Sequence, residues 1–255
     1  MNKGIKTKIK KLIDSQMKRV LPGYVVYDQN RNDRAGALCK AWGHVITSHI
    51  EGGYYEFGIY QGESFRESFR IYQGQVDWMK SQAQSSEMWR RKIKWEWNHH
   101  FYAFDTFEGM PDNMENNENF AKGTFFFSLE EVKLLGEKQG MFEGDKIRYF
   151  KGLFSEVAKS KVKEIEGLQR AAIVNIDSDL YASATDALEI VESKLQQGTI
   201  LMMDDWNCFC ADQNKGERRA LQEFLEKNPK FELEKYFTYS HTGQAFITHI
   251  LSTGC

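Results

Sequence analysis

Two short apolar runs in this chain each end in a pair of aspartates. The runs are residues 173–176 and 200–203, and the acids that follow them are Asp177 and Asp179 after the first run and Asp204 and Asp205 after the second. Carboxylates at the C-terminal ends of β-type runs are typical of an open α/β sheet, which binds ligands outside those strand ends. Converging like charges repel one another unless a cation lies between them. The pattern favours a site for a hard cation such as Mg²⁺, Ca²⁺ or Mn²⁺.

The segment between the two acidic runs has the pattern of a helix. Residues 184–197 carry four apolar side chains on one face, and Gly198 is placed to end the helix. Asp204 follows Asp177 by 27 positions, close to the roughly 30 residues of a βαβ unit. Because such a unit is right-handed and its strands are parallel, both acids are expected at one edge of the sheet.

Further candidate strands complete an α/β pattern. They begin near residues 54, 99 and 146, and the last two, 231–239 and 244–250, are joined by a short turn suited to an antiparallel hairpin. A helix is predicted over residues 216–227. The predicted fold is a Rossmann-like, doubly wound, mostly parallel seven-stranded sheet with an antiparallel C-terminal hairpin and an N-terminal helical extension.

The predicted domain organisation has two parts. Residues 1–50 form an N-terminal helical extension, serving as a lid or an oligomer contact, and residues 51–255 form the α/β domain with an insert at about 73–98. The extension is basic with apolar residues at helical spacing, which favours packing on its own domain or on a second subunit over attachment to an anionic membrane. The insert interleaves tryptophans with bases; a packed core or lid helix explains this pattern more simply than nucleic-acid stacking.

Composition limits the classes of partner. The formal net charge is -2 and the pI is about 6.3, which argues against the broad positive surface of a nucleic-acid binder. No apolar run approaches the roughly 18 residues of a membrane span. The four cysteines have neither zinc-site spacing nor the density of a disulfide scaffold, so reduced thiols and a cytoplasmic location are expected.

A glycine turn follows the strand that begins near residue 54. The pattern Glu56-x-Gly58-x-x-x-Gly62 lets backbone N–H groups approach an anionic ligand at a helix N-terminus, although glycine turns are common. The turn lacks the second close-spaced glycine of the dinucleotide fingerprint, which counts against NAD. Asp105 ends the next strand, where it could accept hydrogen bonds from a ribose diol or simply cap the following turn.

Several of these motifs together resemble the macrocin O-methyltransferase (TylF/MycF-type) family of class I, S-adenosylmethionine-dependent and Mg²⁺-dependent enzymes. The matching blocks run from about residue 54 to residue 250 and include Glu56–Ser64, Phe104–Pro111, Lys151–Phe154, Ile176–Tyr181 and Asp204–Trp206. Many members of this family methylate sugar hydroxyls of antibiotics. The resemblance implies a methyltransferase domain over residues 51–255 and a small-molecule hydroxyl acceptor.

The resemblance also implies residue roles. Asp177, Asp204 and Asp205 would bind Mg²⁺, and Asp179 would be the general base, with the exchange of Asp177 and Asp179 left open as an alternative. S-adenosylmethionine would be bound by Glu56, Gly58, Gly62 and Asp105, with Ser64 as a weaker candidate at the helix start. A metal-bound hydroxyl has a lowered pKa, and a nearby carboxylate can then remove its proton.

Other functions share parts of this pattern. A glycosyltransferase could use Asp177-x-Asp179 to hold a metal and a diphosphate sugar. A phosphatase of the haloacid dehalogenase type also uses Asp-x-Asp, but its nucleophile strand normally opens the domain. A non-catalytic S-adenosylmethionine-binding protein is the remaining alternative, and a set of helix caps and surface acids would explain the carboxylates without any function.

Overall fold

The structure is a computed structural model in which residues 32–87, 97–112 and 121–251 are described. Its centre is a seven-stranded sheet in the order β3-β2-β1-β4-β5-β7-β6. Every pairing is parallel except those of β7, which runs antiparallel to both β5 and β6. The strands are β1 (Gly53–Phe57), β2 (Phe101–Asp105), β3 (Ile147–Lys151), β4 (Ala171–Ile176), β5 (Ile200–Met203), β6 (Phe231–Tyr239) and β7 (Gly243–Ile250).

Helices cover both faces of this sheet. Numbered within the described residues, they are α1 (Arg34–Thr47), α2 (Glu63–Ser85), α3 (Leu129–Glu137), α4 (Phe154–Ser160), α5 (Val162–Glu166), α6 (Tyr181–Val191) and α7 (Gly216–Lys227). Two apolar clusters separate the layers. One contains side chains of α1, α2 and α3, and the other contains side chains of α4, α5, α6 and α7. Helices on both faces explain why β4 and β5 are buried throughout and, apart from Asn175, apolar.

The register of β4 and β5 sets the positions of the acids. Ile176 pairs with Met203, so Asp177 and Asp204 are the next residue on each strand. The N–H of Asp177 donates to the carbonyl of Phe57 at 2.8 Å, and the N–H of Asp204 donates to the carbonyl of Ile176 at 3.0 Å. Both acids therefore continue the ladder of hydrogen bonds at the carboxyl edge of the sheet.

The predicted α/β fold is confirmed, including the antiparallel C-terminal strands. The helix predicted over residues 216–227 has those bounds in α7. The helix predicted over 184–197 instead begins at Tyr181 and ends at Val191, followed by a 3-10 turn at Glu192–Lys194. Gly198, with φ of 85°, lies in the later turn into β5, so it does not end the helix itself.

The first described helix belongs to the main core. Trp42 of α1 is fully buried among aromatic side chains, and its Nε1 donates to Ser68 Oγ of α2 at 2.8 Å.

The basic segment before residue 32 and the tryptophans Trp89 and Trp95 lie outside the described residues, as do residues 113–120 of the acidic loop. The domain division at residue 50, the oligomer contact and the cytoplasmic location stay predictions. Within the described ranges, no helix is long and apolar enough to cross a membrane.

Candidate active site

A cavity of about 550 Å³ opens at the carboxyl edge of the sheet. Its wall includes the turn after β1, the end of β2 and the acids that follow β4 and β5. The glycine turn and the aspartates, which were predicted as separate motifs, therefore line the same cavity. This is the place where open α/β sheets bind their ligands.

The glycine turn brings the first and fourth strands close together. Gly58 has φ of 86°, and a Cβ atom at this position would overlap the carbonyl oxygen of Asp177. Gly62 has φ of 70° and is the N-cap of α2. Glycine is favoured at both positions, because residues that carry a side chain rarely adopt this backbone conformation.

Asp105 fixes the turn from the neighbouring strand. Its Oδ2 accepts hydrogen bonds from the N–H groups of Ile59 at 2.6 Å and Tyr60 at 3.2 Å, and its Oδ1 accepts from the N–H of Phe107 at 2.6 Å. The contact with Phe107 is the capping role that the sequence left open. The contacts with Ile59 and Tyr60 are long-range, and they show that this carboxylate organises the ligand-facing turn as well as lining the cavity.

Glu56 lies behind the cavity wall. The side chain is fully buried, and its two oxygens accept hydrogen bonds from the hydroxyls of Ser64 and Tyr54. Burial raises the pKa of Glu56 to about 7, while these hydroxyls and Arg34 oppose the rise. Among the predicted cofactor-binding residues, Gly58, Ser64 and Asp105 line the cavity. Glu56 supports the wall through Ser64.

The structure brings three of the predicted acids together. Carboxylate oxygens of Asp177, Asp204 and Asp205 lie within 4.8 Å of one another. Asp204 is buried and the other two are partly buried. Burial raises the pKa of Asp177 and of Asp205, and repulsion from the neighbouring carboxylates raises both further. Arg34 opposes the rise at Asp177. Such a group of hard oxygens at strand ends is chemically suited to a divalent cation.

Arg34, the first residue of α1, supplies a positive charge to this cluster. Its Nη1 lies 2.9 Å from Asp177 Oδ2, its Nε donates to Asp204 Oδ1 at 3.2 Å, and its Nη2 donates to Asp204 Oδ2. Burial by itself would lower the pKa of Arg34, but Asp177 and Asp204 raise it above its ordinary value. Sequence reasoning missed this residue, because a lone arginine in the first turn of a helix carries no pattern.

Asp179 stands beside the three-acid group. Its backbone is left-handed, with φ of 58°. Burial, followed by the charge of Asp177, raises the pKa of Asp179 to about 7. A carboxyl group with that pKa can both accept and release a proton near neutral pH.

Asp205 is held by further groups that the sequence did not single out. Its N–H donates to Glu217 Oε2 at 3.0 Å, and its Oδ1 accepts from the thiol of Cys208 at 3.3 Å. Glu217 is 1% exposed, and its Oε1 has no hydrogen-bond partner among the described residues. Burial and the nearby aspartates raise the pKa of Glu217, which favours its protonated form. The position of Glu217 in the first turn of α7 was the available sequence signal.

Comparison with known proteins supports the reading of these motifs. The chain is 30% identical over 113 residues to the 8-demethyl-8-(2,3-dimethoxy-alpha-L-rhamnosyl)-tetracenomycin-C 4'-O-methyltransferase of Streptomyces olivaceus. That match covers 41% of this chain and 41% of the relative, so it spans about two fifths of the relative's length.

Solved structures share the fold over most of the chain. The O-methyltransferase NovP superposes with a TM-score of 0.63 at 18% identity, covering 93% of this chain and 98% of that one. The calicheamicin methyltransferase CalS11 superposes with a TM-score of 0.58 at 15% identity, covering 84% and 77%. The family model described as macrocin-O-methyltransferase (TylF) matches residues 23–230. The resemblance inferred from the motifs is therefore confirmed, and the chain belongs to the macrocin-O-methyltransferase family.

Proposed function

We propose that this protein is an S-adenosylmethionine-dependent O-methyltransferase that acts on a hydroxyl group of a glycosylated small molecule. The observation that carries the proposal is the shared cavity, in which the glycine turn after β1 faces the acids after β4 and β5. In the reaction, an acceptor oxygen attacks the methyl group of the sulfonium. A C–O bond forms, the C–S bond breaks and S-adenosylhomocysteine leaves, while the hydroxyl proton passes to a carboxylate.

The cofactor would lie along the turn after β1. Gly58 and Gly62 leave the two ends of this turn without a side chain, and Asp105 and Ser64 line the cavity. Asp105 would receive the ribose hydroxyls, and the first turn of α2, which begins after Gly62, would receive the carboxylate of the methionine portion. Glu56 acts as a positioning residue through its hydrogen bond with Ser64. Alignment of two bound reactants can supply about 7–11 kcal/mol of the barrier reduction.

Asp177, Asp204 and Asp205 would hold Mg²⁺. Their oxygens are close enough to share an ion, and the guanidinium of Arg34 already rests against two of them as a cation. When bound, Mg²⁺ would lower the pKa of an acceptor hydroxyl. Carboxylate ligands and the hard oxygen chemistry favour Mg²⁺ over zinc.

Asp179 is the proposed general base. Asp177 belongs to the set of three clustered acids and Asp179 does not, which supports Asp177 as the ligand and Asp179 as the base. Because Asp179 is not in this set, the arrangement does not favour a glycosyltransferase or phosphatase that would hold its metal with Asp177 and Asp179. The pKa of Asp179, raised to about 7 by burial, is suited to proton transfer near neutral pH.

The proposed acceptor class rests on the relatives. The Streptomyces olivaceus protein is a 4'-O-methyltransferase of a rhamnosylated tetracenomycin, and a further structure of CalS11 is described as a TDP-rhamnose 3'-O-methyltransferase. Tyr60 and Phe125 add an exposed aromatic pair at the cavity wall, with ring centroids 5.7 Å apart. Apolar ring faces of this kind can pack against a sugar or a polyketide.

Calorimetry and an activity assay test the proposal. The protein should bind S-adenosylhomocysteine, and with Mg²⁺ it should transfer a labelled methyl group from S-adenosylmethionine to rhamnosylated acceptors. Chelation should abolish transfer, and added Mg²⁺ should restore it. Absence of cofactor binding would overturn the whole proposal. Full activity after thorough chelation would overturn only the metal site.

A further inference from the structure

Arg34 occupies the position that a bound cation would share with the acids. Its guanidinium contacts both oxygens of Asp204 and one oxygen of Asp177. We infer that Arg34 is a built-in counter-cation, which neutralises the acid cluster in the metal-free protein and leaves it when a divalent ion binds. The inference rests on the metal site of the proposed function and adds a residue that competes for that site.

A positive charge relieves the repulsion within the acid cluster when no metal is present. Three carboxylates within 4.8 Å of one another repel strongly, because they are also partly or fully removed from water. Arginine is suited to this role since its planar fork can contact two carboxylates at once and keeps its charge at every physiological pH. Arg34 uses three nitrogens in this way.

The same oxygens would be needed by the metal. Asp177 and Asp204 belong to the set whose oxygens can share one ion, and Arg34 contacts them through Asp177 Oδ2 and both oxygens of Asp204. A guanidinium and a divalent ion in one small oxygen cluster would repel each other as like charges. Binding of the metal should therefore weaken the contacts of Arg34, and those contacts should weaken binding of the metal by an equal factor.

The surroundings of Arg34 permit this exchange. The side chain is 37% exposed and lines the cavity, so the guanidinium can move into that space. The backbone is anchored independently, because Asp33 caps α1 by accepting from the N–H of Gly36 at 2.9 Å. Rotation of the side chain alone can release the acids while α1 remains packed.

Titration of metal-stripped protein with Mg²⁺ in a calorimeter tests the inference. Arg34→Gln should bind Mg²⁺ at least about fivefold more tightly than the wild type, which is the lower end of typical coupling between two ligands. Arg70→Gln is the matched control, because Arg70 pairs with Glu67 on α2 and should leave the affinity unchanged.

Two outcomes of this titration contradict different statements. Equal or weaker Mg²⁺ affinity in Arg34→Gln would overturn the inference alone, since it would mean that Arg34 supports the metal site from outside. No Mg²⁺ binding by any of the three proteins would overturn the metal site of the proposed function, and the inference with it.

A second measurement uses the wild-type protein and needs no variant to fold. Phenylglyoxal modifies arginines, and peptide mass spectrometry can follow Arg34 and Arg70 separately. Saturating Mg²⁺ should increase the modification rate of Arg34, because the guanidinium leaves the acids, and should leave the rate at Arg70 unchanged. An unchanged or slower rate at Arg34 would overturn the inference.

Discussion

The main-chain N–H of Asp179 donates a hydrogen bond to Asp205 Oδ2 at 3.1 Å, which ties the proposed base to a proposed metal ligand. The bond crosses from the end of β4 to the end of β5 and is permitted by the left-handed backbone of Asp179. The two side chains also interact, because a hydrogen bond between them opposes the rise in the pKa of Asp179 and adds to the rise in the pKa of Asp205. The base and the metal site are thus held together by backbone geometry.

Replacement of the proposed base should affect chemistry and leave binding intact. Asp179→Asn should lower kcat about 10²–10⁴-fold, the range that general-base assistance provides. Affinities for Mg²⁺ and S-adenosylhomocysteine should change little, because the N–H bond to Asp205 remains. Asp177→Asn is the informative comparison, since it should weaken Mg²⁺ binding. Loss of metal affinity in Asp179→Asn with retention in Asp177→Asn would exchange the two assignments.

Removal of Asp105 should damage both the fold and the cofactor site. Asp105→Ala leaves the part-buried N–H groups of Ile59 and Phe107 without their acceptor, and each buried unpaired donor costs about 1–3 kcal/mol. Urea unfolding should show this loss, and calorimetry should show weaker binding of S-adenosylhomocysteine. As a control, Asp212→Ala removes local contacts to the N–H of Asn214 at 2.9 Å and to its Nδ2 at 3.3 Å and should have a small effect. If Asp105→Ala were as stable as the wild type, the hydrogen bonds of Asp105 would not be needed to hold the turn after β1.

A methyl group at Gly58 should be poorly tolerated. Gly58→Ala would place Cβ against the carbonyl of Asp177 at a φ of 86°, and backbone strain alone costs about 1–3 kcal/mol. We expect a lower melting temperature together with weaker Mg²⁺ binding, because the clash pushes on a proposed ligand. Gly144→Ala, where nothing lies within 4 Å of the added Cβ, should be close to neutral. Equal stability of the two variants would show that β1 and β4 can separate at little cost.

Glu56 should make stability depend on pH. Its pKa is 4.5 as a reference and about 7 in the folded, metal-free protein, so between these values the folded state holds a proton that the unfolded state has lost. The free energy of unfolding should therefore fall as pH rises from about 4.5 to 7, by roughly 3.5 kcal/mol at about 1.4 kcal/mol per pKa unit.

Glu56→Gln isolates this contribution from those of the other buried acids. An amide can hydrogen-bond with the hydroxyls of Tyr54 and Ser64 but does not titrate. Urea unfolding of both proteins in chelator across this pH range should show that the difference between them changes in favour of the variant as pH rises. A constant difference would mean that Glu56 has the same pKa in the folded and unfolded states.

Convergence of the acids could be predicted from the sequence because it follows from local patterns. Apolar runs identify the strands, the helix between them implies a parallel crossover, and the carboxyl ends of adjacent parallel strands meet. The glycine turn likewise has a local signature. The sheet topology and the grouping of Asp177, Asp204 and Asp205 follow from these rules and agree with the structure.

Partners from distant elements could not be predicted in this way. Arg34 contacts Asp204 across 170 positions of the chain, and Asp105 reaches the N–H of Ile59 across 46. Both contacts depend on how a helix or a turn packs against the sheet, and no residue spacing encodes that packing. Glu217 is intermediate: its place at a helix start is visible, but its hydrogen bond with Asp205 depends on the approach of α7 to β5.

The pairing of Ile176 with Met203 makes the alignment of the proposed catalytic acids depend on packing in the apolar interior. Side chains alternate between the faces of a strand, so a slip of one residue between β4 and β5 would turn the Asp204 carboxylate toward the opposite layer of helices. Mutations deep in the apolar layers, far from any ligand, can therefore silence the enzyme by misaligning its chemistry while the protein remains folded.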